Sequence, residues 1–318
     1  MRIALVSNPL SRRNSRGISA ISAAAAAHPR LRHHVLVQFE ELPSVIESLI
    51  DEGVDLLVIN GGDGTVRAVL TELLTKHRFE PTPLLAILPG GTTNSIAADV
   101  GPSGNSCKSL HRLVEATGQN DLGKYIVTRN IIRVETGSDH NIQYGMLFAS
   151  AGLCPGIRLR RRLFPQTWIP EVVAGALTVM GLLCSSVIGG QMAKPLRDGE
   201  TVTMALDNEA GIQNTYSLLM ISTLASSYFN SRPFWGNEPG SLKYSRIVAP
   251  TDGLLRNILP YLFGGDERRL PATYQSGAAD NISLQMSCEF LLDGEFFRID
   301  PEQTLKLSAT EPLRFLRC

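Results

Sequence analysis

The sequence predicts a doubly wound parallel α/β domain followed by an all-β domain of antiparallel, sandwich type. Three observations carry this reading. Short apolar runs alternate with helix-forming runs through the first 125 residues. After about Tyr125 the alternation gives way to short β-like runs separated by Gly, Asn, Asp and Pro. Two glycine-rich loops each follow a buried-type strand and precede a helix, where a parallel sheet carries its ligand-binding loops. A length of 318 residues fits two domains. We expect them at 1–125 and 126–308, with 309–318 a candidate to return to the first.

The elements follow in order. Ile3–Ser7 is an apolar run ending at Asn8-Pro9, so a strand leading into a loop. Residues 18–27 are rich in Ala and predict a helix, stopped by His28-Pro29. His34–Phe39 reads as a strand. Pro43–Glu52 reads as a helix, with Pro at its first position and Gly53 just past its end. Asp55–Asn60 is a buried-type strand. Thr65–Lys76 is an amphipathic helix with Val66, Val69, Leu70 and Leu73 on one side. Leu84–Leu88 is a further strand, after which the chain runs through Pro89-Gly90-Gly91 into another helix.

In the second half the expected strands are Tyr125–Glu135, Ile142–Ser150, Thr201–Asp207, Tyr216–Thr223, Leu242–Val248, Ile282–Leu292 and Thr304–Ser308. They are interrupted by residues 172–193, which carry no charge. That stretch is long enough to cross a bilayer. Its four glycines, two serines and glutamine predict instead a packed helical insertion near 171–193.

Composition narrows the function. Thirty basic residues balance thirty acidic ones, and neither half of the chain has an excess. The electrostatic footprint of a nucleic-acid binder is absent, so no nucleic-acid partner is expected. Five scattered cysteines with no CxxC argue against a disulfide framework or zinc site and fit a reducing cytoplasm. The first apolar run is too short for a signal-peptide core. Oligomeric state is not legible.

The sharpest motif is Gly61-Gly62-Asp63-Gly64-Thr65. Glycines let backbone N–H groups approach an anion, and the helix that follows adds its positive end. Asp63 would repel a bare phosphate but suits a Mg²⁺ ion lying between them. The plainer alternative is a tight βα turn with Asp63 as a helix cap. A second loop, Pro89-Gly90-Gly91-Thr92-Thr93-Asn94, repeats the arrangement. Two such loops on successive strands point to a polyphosphate lying across them, and Asn8-Pro9-Leu10-Ser11 supplies a third candidate loop.

In this order, Asn8-Pro9, the GGDGT run at 61–65 and Leu88–Asn94 followed by Ala97 resemble the catalytic domain of the diacylglycerol kinase family. That family includes bacterial soluble lipid kinases and sphingosine kinases. Far downstream, Phe290-Leu291-Leu292-Asp293-Gly294-Glu295 resembles the Asp-Gly-Glu segment of the bacterial members. The resemblance implies a nucleotide domain of NAD-kinase-like or phosphofructokinase-like fold and a β-sandwich lipid domain. It implies ATP and Mg²⁺ as cofactors, and transfer of the γ-phosphoryl group to a hydroxyl of a diacylglycerol-like or related lipid. By that likeness Asn8, Gly61, Gly62, Gly64, Thr65, Gly90, Gly91, Thr92 and Asn94 would bind ATP. Asp63 would act with the metal, and Asp293 would deprotonate the lipid hydroxyl with Glu295 beside it.

A lipid kinase without a span must visit the membrane surface. Arg158, Arg160, Arg161 and Arg162 precede Leu163, Phe164, Trp168 and Ile169, a basic stretch followed by apolar anchors. We therefore expect a cytoplasmic, peripherally membrane-associated protein. Leu254–Phe263 is a second apolar run that could line a lipid groove. Two alternatives stand. A NAD kinase shares the glycine loop. A non-catalytic nucleotide-binding protein is suggested by Ala68 and Ser95, which stand where family members usually carry acids.

Overall fold

The computed structural model describes residues 1–75, 82–119, 121–137, 141–163, 194–225, 231–251, 253–301 and 303–318. The chain divides into two compact units. One comprises Met1–Ile131 with Glu311–Cys318, the other Ile132–Thr310.

The first unit is built on β1 (Ile3–Ser7), β2 (Leu31–Val35), β3 (Leu56–Gly61), β4 (Leu84–Pro89), β5 (Ile126–Arg129) and the returning β17 (Leu313–Leu316). Their order in the sheet is β2-β1-β3-β4-β17-β5. The β1–β2, β1–β3, β3–β4 and β4–β17 pairs are parallel, and β17–β5 is antiparallel. Every residue of β1 and β3 is buried, which accounts for their unbroken apolar texture. Helices α1 (Asn14–Ala26), α2 (Leu42–Asp51), α3 (Asp63–Thr75), α4 (Ser95–Val100) and α5 (Ser106–Ala116) connect or follow these strands. Ile21, Ala24 and Ala25 of α1 and Leu110 and Leu113 of α5 share one core cluster with Leu5, Val58 and Ala86.

Three expectations shift here. The second strand lies at Leu31–Val35 rather than His34–Phe39, because Leu31 pairs with Ile3 and Val35 with Ser7. Phe39–Glu41 is instead a short 3-10 turn leading into α2. The third helix begins at Asp63, so the aspartate of the glycine loop is already its first residue.

The second unit begins with β6 (Ile132–Thr136), β7 (Asn141–Gly145), β8 (Leu147–Ala151), α6 (Leu153–Leu163) and α7 (Lys194–Asp198). It continues with β9 (Glu200–Leu206), β10 (Ile212–Ser222), β11 (Leu242–Val248), α8 (Leu254–Phe263) and β12 (Tyr274–Ala279). It closes with β13 (Asn281–Met286), β14 (Phe290–Leu292), β15 (Glu295–Phe297) and β16 (Thr304–Ala309). The strands run β15-β14-β8-β10-β9-β13-β16-β6-β7, and β11 joins β10 to β12. Strand β10 is long enough to pair first with β9 and then with β8 on one edge, while β11 lies on its other edge. Phe148, Tyr216, Leu219, Ile282, Phe290 and Leu305 are among the side chains filling the core. The expected single strands 142–150 and 282–292 each break in two. The first breaks at Met146, whose N–H bonds to a side chain instead of a strand partner.

No helix among the described residues is long and apolar enough to cross a membrane. The uncharged stretch 172–193, with Phe164, Trp168 and Ile169, lies outside the described residues.

Candidate active site

Strand register brings the three motif loops together. Ser7 pairs with Asn60 across β1–β3, and Gly61 pairs with Pro89 across β3–β4. Asn8, Gly62 and Gly90 therefore leave the sheet side by side at the carboxyl ends of adjacent parallel strands. This is where an open α/β sheet binds ligands.

The glycines are required by one another. A Cβ on Gly91 would lie 2.4 Å from Cα of Gly62, and one on Gly90 would lie 2.9 Å from Cα of Gly61. A Cβ on Gly61 would lie 2.5 Å from Cβ of Thr65. The two loops are thus packed backbone against backbone. Gly90 N–H also donates to Gly61 O at 2.9 Å.

Polar side chains fix the loops. Asn8 Nδ2 donates to Thr65 Oγ1 at 2.9 Å, while Asn8 Oδ1 accepts the Leu10 N–H at 2.9 Å. Gly62 N–H donates to Ser11 Oγ at 3.3 Å. Asn14, the first residue of α1, is buried and donates through Nδ2 to both Asn8 O and Asn60 O, each at 2.9 Å. Asn94 has φ +53° and closes its own loop. Its Oδ1 accepts the Gly91 N–H at 2.7 Å and its Nδ2 donates to Gly91 O at 2.9 Å. Asn tolerates this left-handed conformation better than most residues. Its amide is therefore engaged in shaping the loop.

Asp63 has an equally definite place. Its Oδ2 accepts the Ser95 N–H and its Oδ1 the Ile96 N–H, both at 3.1 Å. These are N–H groups of the first turn of α4, which have no partner within their own helix. Asp63 therefore caps α4 from 32 residues away, locking the first glycine loop to the second. Burial pushes its carboxyl above the usual range, opposed by the N–H bonds from Ile96, Ser95 and Asn94. Each oxygen holds one backbone donor and keeps a further lone pair, so the carboxylate can still face a cation beside bound phosphate. Among the described residues no group of three or more His, Cys, Asp or Glu side chains converges to hold a metal.

A polyphosphate fits the same place. Among the described residues the Asp63 and Gly64 N–H groups, which open α3, have no backbone acceptor, while the next two, of Thr65 and Val66, both donate to Gly62 O. Unpaired donors and the positive end of a helix of 13 residues meet at one point.

In the second unit, Asp293 and Gly294 form the two-residue turn of the β14–β15 hairpin, with φ +49° and +86°. Positive φ at both positions is the conformation that favours Asp-Gly in a tight hairpin. The Asp293 side chain folds back and is buried. Its Oδ1 accepts the Leu147 N–H at 2.9 Å, and its Oδ2 accepts the Met146 N–H at 3.0 Å. Glu295, next along the hairpin, is exposed.

Helix α6 braces the same hairpin. Arg161 donates to Gly294 O at 2.7 Å, and the Arg158 and Arg161 guanidiniums lie 4.2 and 5.1 Å from the Phe296 ring centre. Arg158 also forms a fork with Glu289, at 2.9 and 2.8 Å. Within the arginine cluster expected to face a membrane, Arg158 and Arg161 thus have partners in the same chain while remaining exposed.

Residues 2–125 match the diacylglycerol kinase catalytic domain. The match covers less than half of the chain. A stretch of 57 residues is 40% identical to a Stenotrophomonas maltophilia (strain K279a) protein named "Probable lipid kinase YegS-like". The aligned stretch spans 18% of each chain. The fold of the whole chain resembles a diacylglycerol kinase from Bacillus anthracis str. Sterne, with a TM-score of 0.62 at 16% identity. That match covers 99% of this chain and 96% of the other. Two other solved chains from that organism give TM-scores of 0.65 and 0.64 at 15% and 17% identity, covering 99% and 100% of this chain and 96% and 97% of their own. At such identities the likeness is one of fold.

Within residues 2–125, the loops that carry Asn8, Gly61, Gly62, Asp63, Gly64, Thr65, Gly90, Gly91, Thr92 and Asn94 meet at the carboxyl ends of adjacent strands. Sequence reasoning placed Ser11 in a candidate loop without its bracing contact and missed Asn14 as the clamp between two strand ends. Asn14 was findable as a polar residue at the start of an otherwise Ala-rich helix. Its partners, two backbone carbonyls, leave no mark in the sequence.

Proposed function

We propose that this chain is a lipid kinase that transfers the γ-phosphoryl group of ATP to a hydroxyl of a diacylglycerol-like lipid. The observation that carries the reading is the pair of glycine loops at the ends of β3 and β4, backed against each other beside the opening of α3. Phosphoryl transfer needs positioning and charge stabilisation more than covalent chemistry, and preset backbone donors supply both. The family that residues 2–125 match favours a lipid acceptor over NAD. In this reading Asp293 takes the proton of the lipid hydroxyl, with Glu295 beside it. Mg²⁺ enters as the counter-ion of the ATP phosphates, which it binds largely through phosphate oxygens and water; no side chain here is assigned to it.

The cradle acts on the phosphate chain, so affinity should rise with the number of phosphates. By calorimetry, ATP should bind at least about tenfold more tightly than AMP, the effect of one or two charge-assisted bonds. Equal affinity for ATP and AMP would contradict the phosphate assignment.

A further inference from the structure

Helix α8 has two faces of different character. Its inner face carries Ile258, Tyr261 and Leu262, which pack with Leu218, Ile247 and Tyr274 of the sheet. Tyr261 is fully buried and its hydroxyl lies 2.8 Å from Ser245 Oγ. The outer face carries Arg256, Leu259, Pro260 and Phe263, spaced so that all four fall on one side of a helix. Leu259 is 65% exposed and Phe263 56%. Exposed apolar side chains one turn apart, beside a cation, are an arrangement that lone surface residues do not explain.

Arginine usage around α8 is divided. Arg268 is fully spent on structure. It donates to the carbonyls of Tyr261, Gly264, Gly265 and Arg232, and its guanidinium lies 4.9 Å from the Trp235 ring centre. This clamp fixes the carboxyl end of the helix. Arg269, the next residue, lines a concavity of about 640 Å³ with Arg256, Asn257, Pro260 and Leu270. Neither Arg256 nor Arg269 has an acidic partner among the described residues. Of the described acids nearby, Asp266 acts on Arg268, and no ion pair joins Glu267 to either arginine; Asp252 lies outside the described residues.

We propose that the outer face of α8 docks on an anionic phospholipid membrane. Leu259 and Phe263 enter the interface, and Arg256 and Arg269 receive lipid phosphates at the rim of the concavity. The charge decides the occupant. Two guanidiniums with no acidic partner among the described residues, beside protruding apolar side chains, complement a surface that is negative at the headgroups and apolar beneath them. The proposal rests on the lipid-kinase reading for its purpose, but its geometry lies wholly within the second unit.

The test is co-sedimentation of the full chain with vesicles of phosphatidylcholine alone or mixed with phosphatidylglycerol. The chain should sediment with the mixed vesicles and much less with the neutral ones. Arg256→Gln with Arg269→Gln should weaken binding about thirtyfold, as expected for two arginines at an anionic surface. Leu259→Ser with Phe263→Ser should abolish it, with near-ultraviolet circular dichroism unchanged because all four side chains are off the core. Equal sedimentation of the variants and the parent, or equal binding to neutral vesicles, would overturn the proposal. So would a dimer that Leu259→Ser with Phe263→Ser dissociates in a chain that binds no vesicles. Lipid phosphorylation in detergent micelles separates the two readings. The variants should keep it, and its absence from the parent would defeat the kinase reading while leaving vesicle binding to decide the docking face.

Discussion

Replacing Gly91 by Ala is expected to destabilise the first unit by about 3 kcal/mol and to weaken ATP binding about a hundredfold. The added Cβ would lie 2.4 Å from Cα of Gly62. Both atoms belong to backbone, so no flexible side chain can move aside. One glycine loop must back away from the other, carrying the Asp63 cap and the Asn94 clasp with it. Gly17→Ala is the control. Gly17 lies inside α1 with nothing within 4 Å of an added Cβ, so that change should stabilise by about 0.5–1 kcal/mol. Thermal unfolding and calorimetric titration with ATP read both effects. A Gly91→Ala protein with parental stability and affinity would mean that the loops are not held in contact.

The second large effect is expected at Asp293. Asp293→Asn should lower turnover by about 10²–10⁴-fold, the usual contribution of a general base, while ATP affinity stays unchanged. Asn also faces the Met146 N–H with an amide that can donate, so a stability loss of about 1–3 kcal/mol should accompany it. A purely structural role would produce the second effect without the first. Gly294→Ala separates them. It strains the same hairpin, since φ there is +86°, but leaves the carboxylate intact. It should cost about 1–2 kcal/mol and keep turnover within about tenfold of the parent. Near-normal turnover in Asp293→Asn would remove Asp293 from the reaction.

The parts of this protein legible in its sequence are those whose cause is local. Strands β1, β3 and β4 announce themselves because they are buried on both faces and so carry unbroken apolar runs. The glycine loops are legible because close backbone approach leaves no other residue possible. What escaped depends on partners distant in sequence. Asp63 is adjacent to glycines in the chain, which suggests a phosphate or metal task, yet its carboxylate is held by Ser95 and Ile96. Nothing within one turn of Asp63 could have revealed that. The offset of β2 has a similar origin, because its register is set by β1 and not by its own exposed and half-buried residues. The bracing contacts of the exposed Arg158 and Arg161 were hidden for the same reason. Their partners Glu289, Gly294 and Phe296 lie more than a hundred residues away.

These observations also shift where phosphate recognition is sought. A chain with balanced charge has no basic excess to offer a nucleotide. In the proposed function, backbone N–H groups at the start of α3, held in place by Asn8, Ser11, Asn14 and Asn94, would supply the complement without one. Side chains in this site mostly hold the backbone in shape. Loss of any one of them should therefore be felt as a misplaced loop.

The central claim is phosphoryl transfer from ATP to a lipid. It is tested most directly by incubating the full chain with γ-labelled ATP, Mg²⁺ and a total lipid extract in detergent micelles, with NAD as a parallel acceptor. The account predicts label in a chloroform-soluble lipid and none in the nicotinamide nucleotide, with the lipid label lost in Asp293→Asn. Label in NAD, or no transfer to any lipid by a chain that binds ATP, would contradict it.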